Sequence, residues 1–91
     1  MNKQDLVRII ASESEVTQRD ASIMLDSTLE AIMSAVAAGD KVQLTGFGTF
    51  EAKERAARVG RNPRTGETIE VPAATVPTFH AGVLFKEKVD R

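Results

Sequence analysis

Apolar positions along this chain follow a helical period first, then a period of two, then a helical period again. Leu6, Val7, Ile9 and Ile10 form a first helical stripe. Asn2 is suited to cap it, with Asp5 in the first turn. The stripe fades after Ala11, and Ser12 to Glu15 reads as the exit. Thr17 then carries the signature of a second N-cap, with Asp20 three residues on as a shortened capping-box acid. Ala21, Met24, Leu25, Thr28, Leu29, Ile32, Met33 and Val36 recur at helical spacing over about five turns, and Gly39 supplies the stop. The expected result is an αα-hairpin with a long second arm.

After Gly39 the period becomes two. Val42 and Leu44 alternate with Lys41, Gln43 and Thr45, and Gly46-Phe47-Gly48 turns the chain. Phe50 begins a strand that runs out into a basic region, and Asn62-Pro63-Arg64-Thr65-Gly66 reads as its turn: proline where φ near −65° suits, glycine where a positive φ is tolerated. The returning strand, Glu67 to about Phe79, contains Pro72 and Pro77, which cannot donate to a ladder; an exposed two-stranded ribbon with edges or bulges is therefore expected over a central strand. A last helix, Gly82 to about Asp90, carries Val83, Leu84, Phe85 and Val89. The order α-α-β-β-β-α defines an α+β fold.

Size sharpens this picture. A chain of 91 residues is one small domain, and a monomer of that size hides only about 60–70% of its unfolded surface. A ribbon standing off the body would leave still less core, so a dimer is expected on physical grounds alone. Leu25, Leu29, Ile32 and Val36 make a stripe broader than a short monomer core needs, which fits burial against a partner; packing within the chain is the competing account. There are no cysteines, which removes disulfides and thiolate metal sites and fits a reducing compartment. No signal-peptide pattern or long apolar run is visible, so a cytoplasmic protein with no membrane partner is expected.

The net charge of −1 and pI near 5.8 argue against nucleic-acid binding until the chain is divided. Residues 1–40 hold three basic against seven acidic residues, a balance of −4; residues 41–91 hold nine against six, a balance of +3. Because screening confines a charge's influence to about 8–10 Å, local clustering outweighs the total. The clustering is dense: Lys53, Arg55, Arg58, Arg61 and Arg64 fall within twelve residues, opposed only by Glu54.

Arginine in a ribbon can protect an edge, pair within the fold, or meet phosphate and base edges. Lysine and glutamate would protect an edge as well; the planar, forked guanidinium suits phosphate oxygens and a narrow minor groove. Strict alternation puts Lys53, Arg55 and Arg61 on one face and Arg58 on the other, so either the ribbon twists or bulges near Gly60 or Arg58 reaches around to a flanking phosphate. Pro63 is good turn chemistry; at the tip of a basic ribbon it is also an apolar ring able to wedge between base pairs.

The run Gly46-Phe47-Gly48-Thr49-Phe50, then Arg55, Arg58, Gly60-Arg61-Asn62-Pro63, Thr65-Gly66, Ile69 and Val71-Pro72-Ala73 resembles the signature of the HU/IHF family of bacterial histone-like proteins, closest to HU. The likeness spans nearly the whole chain, from Met1-Asn2-Lys3 through Gly39-Asp40-Lys41 to Phe79, Gly82 and Phe85-Lys86. Minor-groove bending is the known behaviour of HU and IHF and enters with the resemblance. The resemblance implies an intertwined homodimer with a helical base of two N-terminal helices, a three-stranded antiparallel sheet, long β-ribbon arms and a short C-terminal helix. It makes residues 1–91 a single DNA-binding domain with 53–74 as the arm. Arg55, Arg58 and Arg61 would line the arm in the minor groove; Asn62 and Pro63 would sit at the tip beside Arg64, with Pro63 as the wedge. Gly46, Phe47 and Gly48 would form a turn whose amides approach phosphate, and Lys3, Lys41, Lys53 and Lys86 would meet the backbone. The chain departs from the pattern at Val83, where many members carry lysine, and at Gln18-Arg19 in place of a commonly lysine-rich pair.

The implied function is architectural: a homodimer that binds double-stranded DNA with little sequence preference and bends, wraps and compacts it at the nucleoid, with RNA as a further candidate partner. A sequence-specific, IHF-like regulator of the same fold is the first alternative, and a module whose arm binds an acidic protein the second. Phe47, Phe50, Phe79 and Phe85 could form a base-stacking platform, but their spacing favours core and dimer interface; Met24 and Met33 read as packing. The αα-hairpin is a poor helix-turn-helix because its second helix is long and acidic. His80, the one histidine, has no cysteine or carboxylate pair beside it and reads as a solvent-facing or capping residue. Gly60 to Gly66 lacks the spacing and the lysine of a phosphate-binding loop, and Gly46-Phe47-Gly48 has no third glycine in place. No nucleophile, base and orienting group can be assembled. The expectation is a non-enzyme with no cofactor, metal or small-molecule substrate.

Overall fold

The computed structural model describes residues 1–90. Helices α1 (Lys3–Ser14) and α2 (Gln18–Ala37) come first, then strands β1 (Val42–Leu44), β2 (Gly48–Arg55), β3 (Arg58–Arg61), β4 (Thr68–Val71) and β5 (Ala74–Ala81), then α3 (Val83–Val89). The chain falls into two compact units, Met1–Ser34 and Ala35–Arg91.

In the first unit the helix ends obey their local chemistry. Asn2 Oδ1 accepts the Asp5 amide and Asp5 Oδ2 accepts the Asn2 amide, both at 3.0 Å, a complete capping box. α1 outlasts its apolar stripe by three residues and ends with Glu15 in the left-handed region at φ 54°. Thr17 Oγ1 takes the Asp20 amide at 3.1 Å, as a cap should. Val7, Ala11 and Ala21 form the buried centre, flanked by Ile10, Val16 and Leu25. Leu29, Met24 and Met33 remain largely open in the single chain, so their packing role is not fulfilled within one copy.

The second unit starts with the end of α2. Gly39 at φ 94° donates to the Val36 carbonyl and Asp40 to that of Ala35, the paired bonds of a Schellman stop. The β region forms two sheets: an antiparallel β1-β2-β5 sheet and a two-stranded β3-β4 ribbon. Each of the two long strands expected from the sequence is therefore divided, at Ala56-Ala57 and at Pro72-Ala73. Register survives the division: Arg55 pairs with Ala74 before the gap and Arg58 with Val71 after it, two residues skipped on each side. Pro72, with no N–H to donate, lies in this gap, and Pro77 sits in β5, an edge strand of its sheet.

One face of the three-stranded sheet is apolar. Phe50 pairs with Phe79 and Val42 with Phe50; Phe47 and Phe85 join them, with ring centroids of Phe47 5.3 Å from both Phe79 and Phe85 and those of Phe50 and Phe79 4.7 Å apart. α3 reaches this face through Phe85. The aromatics form a packed cluster, as their spacing suggested, with Phe47 and Phe79 still partly exposed in the single chain.

Candidate nucleic-acid interface

The ribbon is built by its turn. Asn62 Oδ1 accepts the Arg64 amide at 2.9 Å, the Asn62 carbonyl accepts the Gly66 amide at 2.7 Å, and the Asn62 amide donates to the Glu67 carbonyl at 2.8 Å. Gly66 takes φ 75°, a conformation that glycine reaches without the cost of a Cβ. Thr65 Oγ1 accepts the Glu67 amide at 3.3 Å. Asn62 thus spends its carboxamide oxygen on the turn, while Pro63 and Arg64 stand exposed at the tip.

Along the ribbon, directly paired residues share a face. Arg58, Gly60, Ile69 and Val71 lie on one side, and Val59, Arg61, Thr68 and Glu70 on the other. Arg58 and Arg61 therefore leave opposite faces, as alternation predicts. The bulge considered near Gly60 does not occur: Gly60 pairs regularly with Ile69. Of residues 53–74, Lys53, Arg55 and Ala74 belong to the β1-β2-β5 sheet, and the separate ribbon spans 58–71. Val59 is 72% exposed, so the ribbon encloses no core of its own.

Charge pairing separates the candidates into two sets. Among the described residues, Lys53, Arg55, Arg58, Arg61, Arg64 and Lys86 make no ion pair. Lys3 pairs with Asp26, and Lys41 Nζ lies 3.5 Å from Glu51 Oε2. Pairing within the fold therefore does not explain the arm arginines. Lys86 sits with Phe85 and Val89 along an open groove of about 630 Å³.

The turn at Gly46–Gly48 has a packing function that the sequence did not disclose. The Phe47 amide donates to the Leu44 carbonyl at 2.9 Å and is not free for a phosphate, while the Phe47 carbonyl accepts the Gly82 amide at 2.8 Å. Gly48 is buried, and a Cβ there would fall 2.5 Å from the Phe79 ring and 2.6 Å from the His80 carbonyl. Gly46, at φ 86°, would meet Leu84 at 3.1 Å. Of the amides expected to approach phosphate, that of Phe47 is thus already engaged, and the turn also seats α3.

Sequence reasoning also missed Glu51. Its carboxylate bridges two side chains, with His80 Nε2 at 3.1 Å from Oε1 and Lys41 on the other oxygen. Partial burial pushes the Glu51 carboxyl up, but the His80 hydrogen bond and the Lys41 charge outweigh it and hold the group below its ordinary value. No local signal could have found this pair, since Glu51 and His80 are 29 residues apart.

A cationic two-stranded ribbon carried beyond a small three-stranded sheet, with helices before and after it, defines an α+β protein built to meet a polyanion. The sequence pattern of the family described as bacterial DNA-binding protein matches residues 1–90, and the chain belongs to that family. It is 53% identical to the DNA-binding protein HU of Clostridium pasteurianum over 91 residues, all of both chains. Among solved structures it is similar to Anabaena HU in a cocrystal with DNA, with a TM-score of 0.90 at 54% identity, covering 98% of this chain and 97% of that one. HU from Thermotoga maritima matches with a TM-score of 0.70 at 34% identity, over 99% of this chain and all of the other.

Proposed function

We propose that this chain is an architectural DNA-binding protein that acts as a homodimer, holds double-stranded DNA with little regard to sequence, and bends, wraps and compacts it. The observation that carries the reading is the set of arm arginines without carboxylate partners among the described residues, displayed on both faces of a ribbon that has no core of its own. Unpaired guanidinium groups release counterions when they meet phosphate, which drives sequence-independent binding. One structural relative agrees: Anabaena HU was crystallised with DNA.

In this reading Arg55, Arg58 and Arg61 enter the minor groove, Pro63 wedges between base pairs at the kink, and Asn62 holds the tip in shape for it. Lys53, Lys86, Lys3 and Lys41 meet phosphates on the flanks. The homodimer follows from the shortage of core: Leu29, Met33, Val83, Leu84 and Val89 stay open in the single chain, and a second copy is the natural cover. α2 carries Asp20, Asp26 and Glu30, which suits it poorly to reading a major groove. The reaction of such a protein is mechanical, so no catalytic group is required, and the nucleoid is its site of action. No described helix is long and apolar enough to cross a membrane.

An energy-transfer bending assay tests the reading on a straight and a nicked duplex of one sequence, at stated salt. The bound straight duplex should be bent, and the nicked one should bind more tightly because part of its deformation is already present. A bound duplex that stays straight refutes it.

A further inference from the structure

We propose that His80 is a proton-dependent contact for a DNA phosphate, aimed by Glu51 from the polar face of the three-stranded sheet. The inference rests on the DNA-binding reading above and adds a residue that the arm does not include.

The face follows from register. Phe79 turns into the aromatic cluster with Phe50, Phe47 and Phe85, so His80, the next residue of β5, emerges on the other side, opposite Thr49. Alternation along β2 brings Thr49, Glu51, Lys53 and Arg55 to that same side, and Lys41, just ahead of β1, reaches Glu51 there. The charged groups of this face are thus Lys41, Lys53 and Arg55 against Glu51, a balance of +2 before His80 takes a proton. α3 lies on the aromatic side through Phe85 and brings Lys86, Glu87 and Lys88 with it. Among the described residues only Glu51 bonds to His80.

Tautomer chemistry makes this arrangement a switch. A carboxylate can only accept, so the ring nitrogen 3.1 Å from Glu51 Oε1, Nε2, must carry the hydrogen. The neutral ring then presents Nδ1 outward as an acceptor, which a phosphate oxygen cannot use. Protonation turns Nδ1 into a donor and adds a positive charge, while Nε2 stays tied to Glu51. The side chain of His80 is 55% exposed and that of Glu51 28%; the acid supports from beneath and the imidazole is the reachable group. Histidine is the side chain whose charge changes between about pH 5 and 8, and this chain has only one.

The test measures affinity for a 20-base-pair duplex at pH 8.0 and 5.5 across a salt series, for the full chain and for His80→Gln, His80→Lys and Glu51→Gln. The wild type should tighten several-fold on acidification, and its slope of log K against log salt should steepen by about 0.9 for each His80 engaged. His80→Gln should lose most of that pH response and match the wild type at pH 8.0. His80→Lys, cationic throughout, should bind tightly at both values. Glu51→Gln, which also frees Lys41 and removes a negative charge from the face, should bind at least as tightly at pH 8.0 and show a weakened pH response, because the ring is no longer aimed. Linkage supplies a second readout: the pKa of His80, followed by NMR of its ring protons, should rise when DNA is added. If His80→Gln keeps the full pH response, or DNA leaves that pKa unmoved, the inference is overturned while DNA binding stands. If no form of the chain, the wild type included, binds at either pH, both readings are overturned.

Discussion

Lys41 and Arg58 carry the same formal charge in opposite circumstances. Lys41, beside the three-stranded sheet, leans on Glu51, and that acid also holds His80. Arg58, on the ribbon, has no carboxylate among the described residues, and neither do Arg55, Arg61 or Arg64. A paired cation must give up its partner, or share it, before a phosphate gains from it; an unpaired one releases counterions to solvent and engages directly. Lys41 therefore spends its charge on the protein's own surface. The ribbon keeps its charge for a partner, and the comparison teaches where binding energy should be sought.

Removing the ribbon is the most severe way to break that comparison. Because Arg55 and Ala74 are direct partners, joining them through Asn-Gly should preserve the β2-β5 ladder while deleting 56–73. Such a variant should keep its fold by circular dichroism and lose duplex affinity by roughly 10³-fold at moderate salt; retention of tight binding would move the interface to the body. Next in size, Arg58→Ala and Arg61→Ala should each cost about 1.5–3 kcal/mol if the lost bond is charge-assisted, and each should lower the salt slope by about 0.9 per contact. Since the two leave opposite faces of the ribbon, their effects should add. Lys41→Ala, by contrast, should change the slope by clearly less; an equal change would abolish the distinction between paired and unpaired cations.

Pro63→Ala sharpens the comparison within the ribbon itself, separating wedge from charge. Bending of a straight duplex should fall several-fold, with little loss on a pre-kinked one, as judged by energy transfer and competition. Equal losses on both substrates would return Pro63 to simple turn chemistry. The smallest effect belongs to the sheet. The Glu51 carboxyl is held below its usual value of 4.5, so its contribution to stability is present above that pH and is lost as pH falls through the lowered value. Glu51→Gln should remove this component from a stability-against-pH curve, leaving a slightly flatter acid limb.

Much of the fold was legible because its signals are local. Asn2 with Asp5, Thr17 with Asp20, and Gly39 close their bonds within six residues, and the Asn62–Gly66 turn carries its own instructions. Pairings between distant segments were less legible. The sequence implied two unbroken arm strands, where the structure interrupts both at Ala56-Ala57 and Pro72-Ala73 with register intact. It also gave Gly46–Gly48 a phosphate-facing part, where the Phe79 ring and Leu84 explain why no larger residue fits at the two glycines.

By itself, then, the order of residues determined the helices, their caps, the change of period, the ribbon's turn and the density of arginine along it, since each depends on neighbours a few positions apart. Apart from Arg8, which meets Asp5 one turn away on α1, tertiary structure decided which cations are neutralised. Glu51 meets Lys41 and His80 only because β1, β2 and β5 pair in one register, and register is fixed by contacts far apart in the chain.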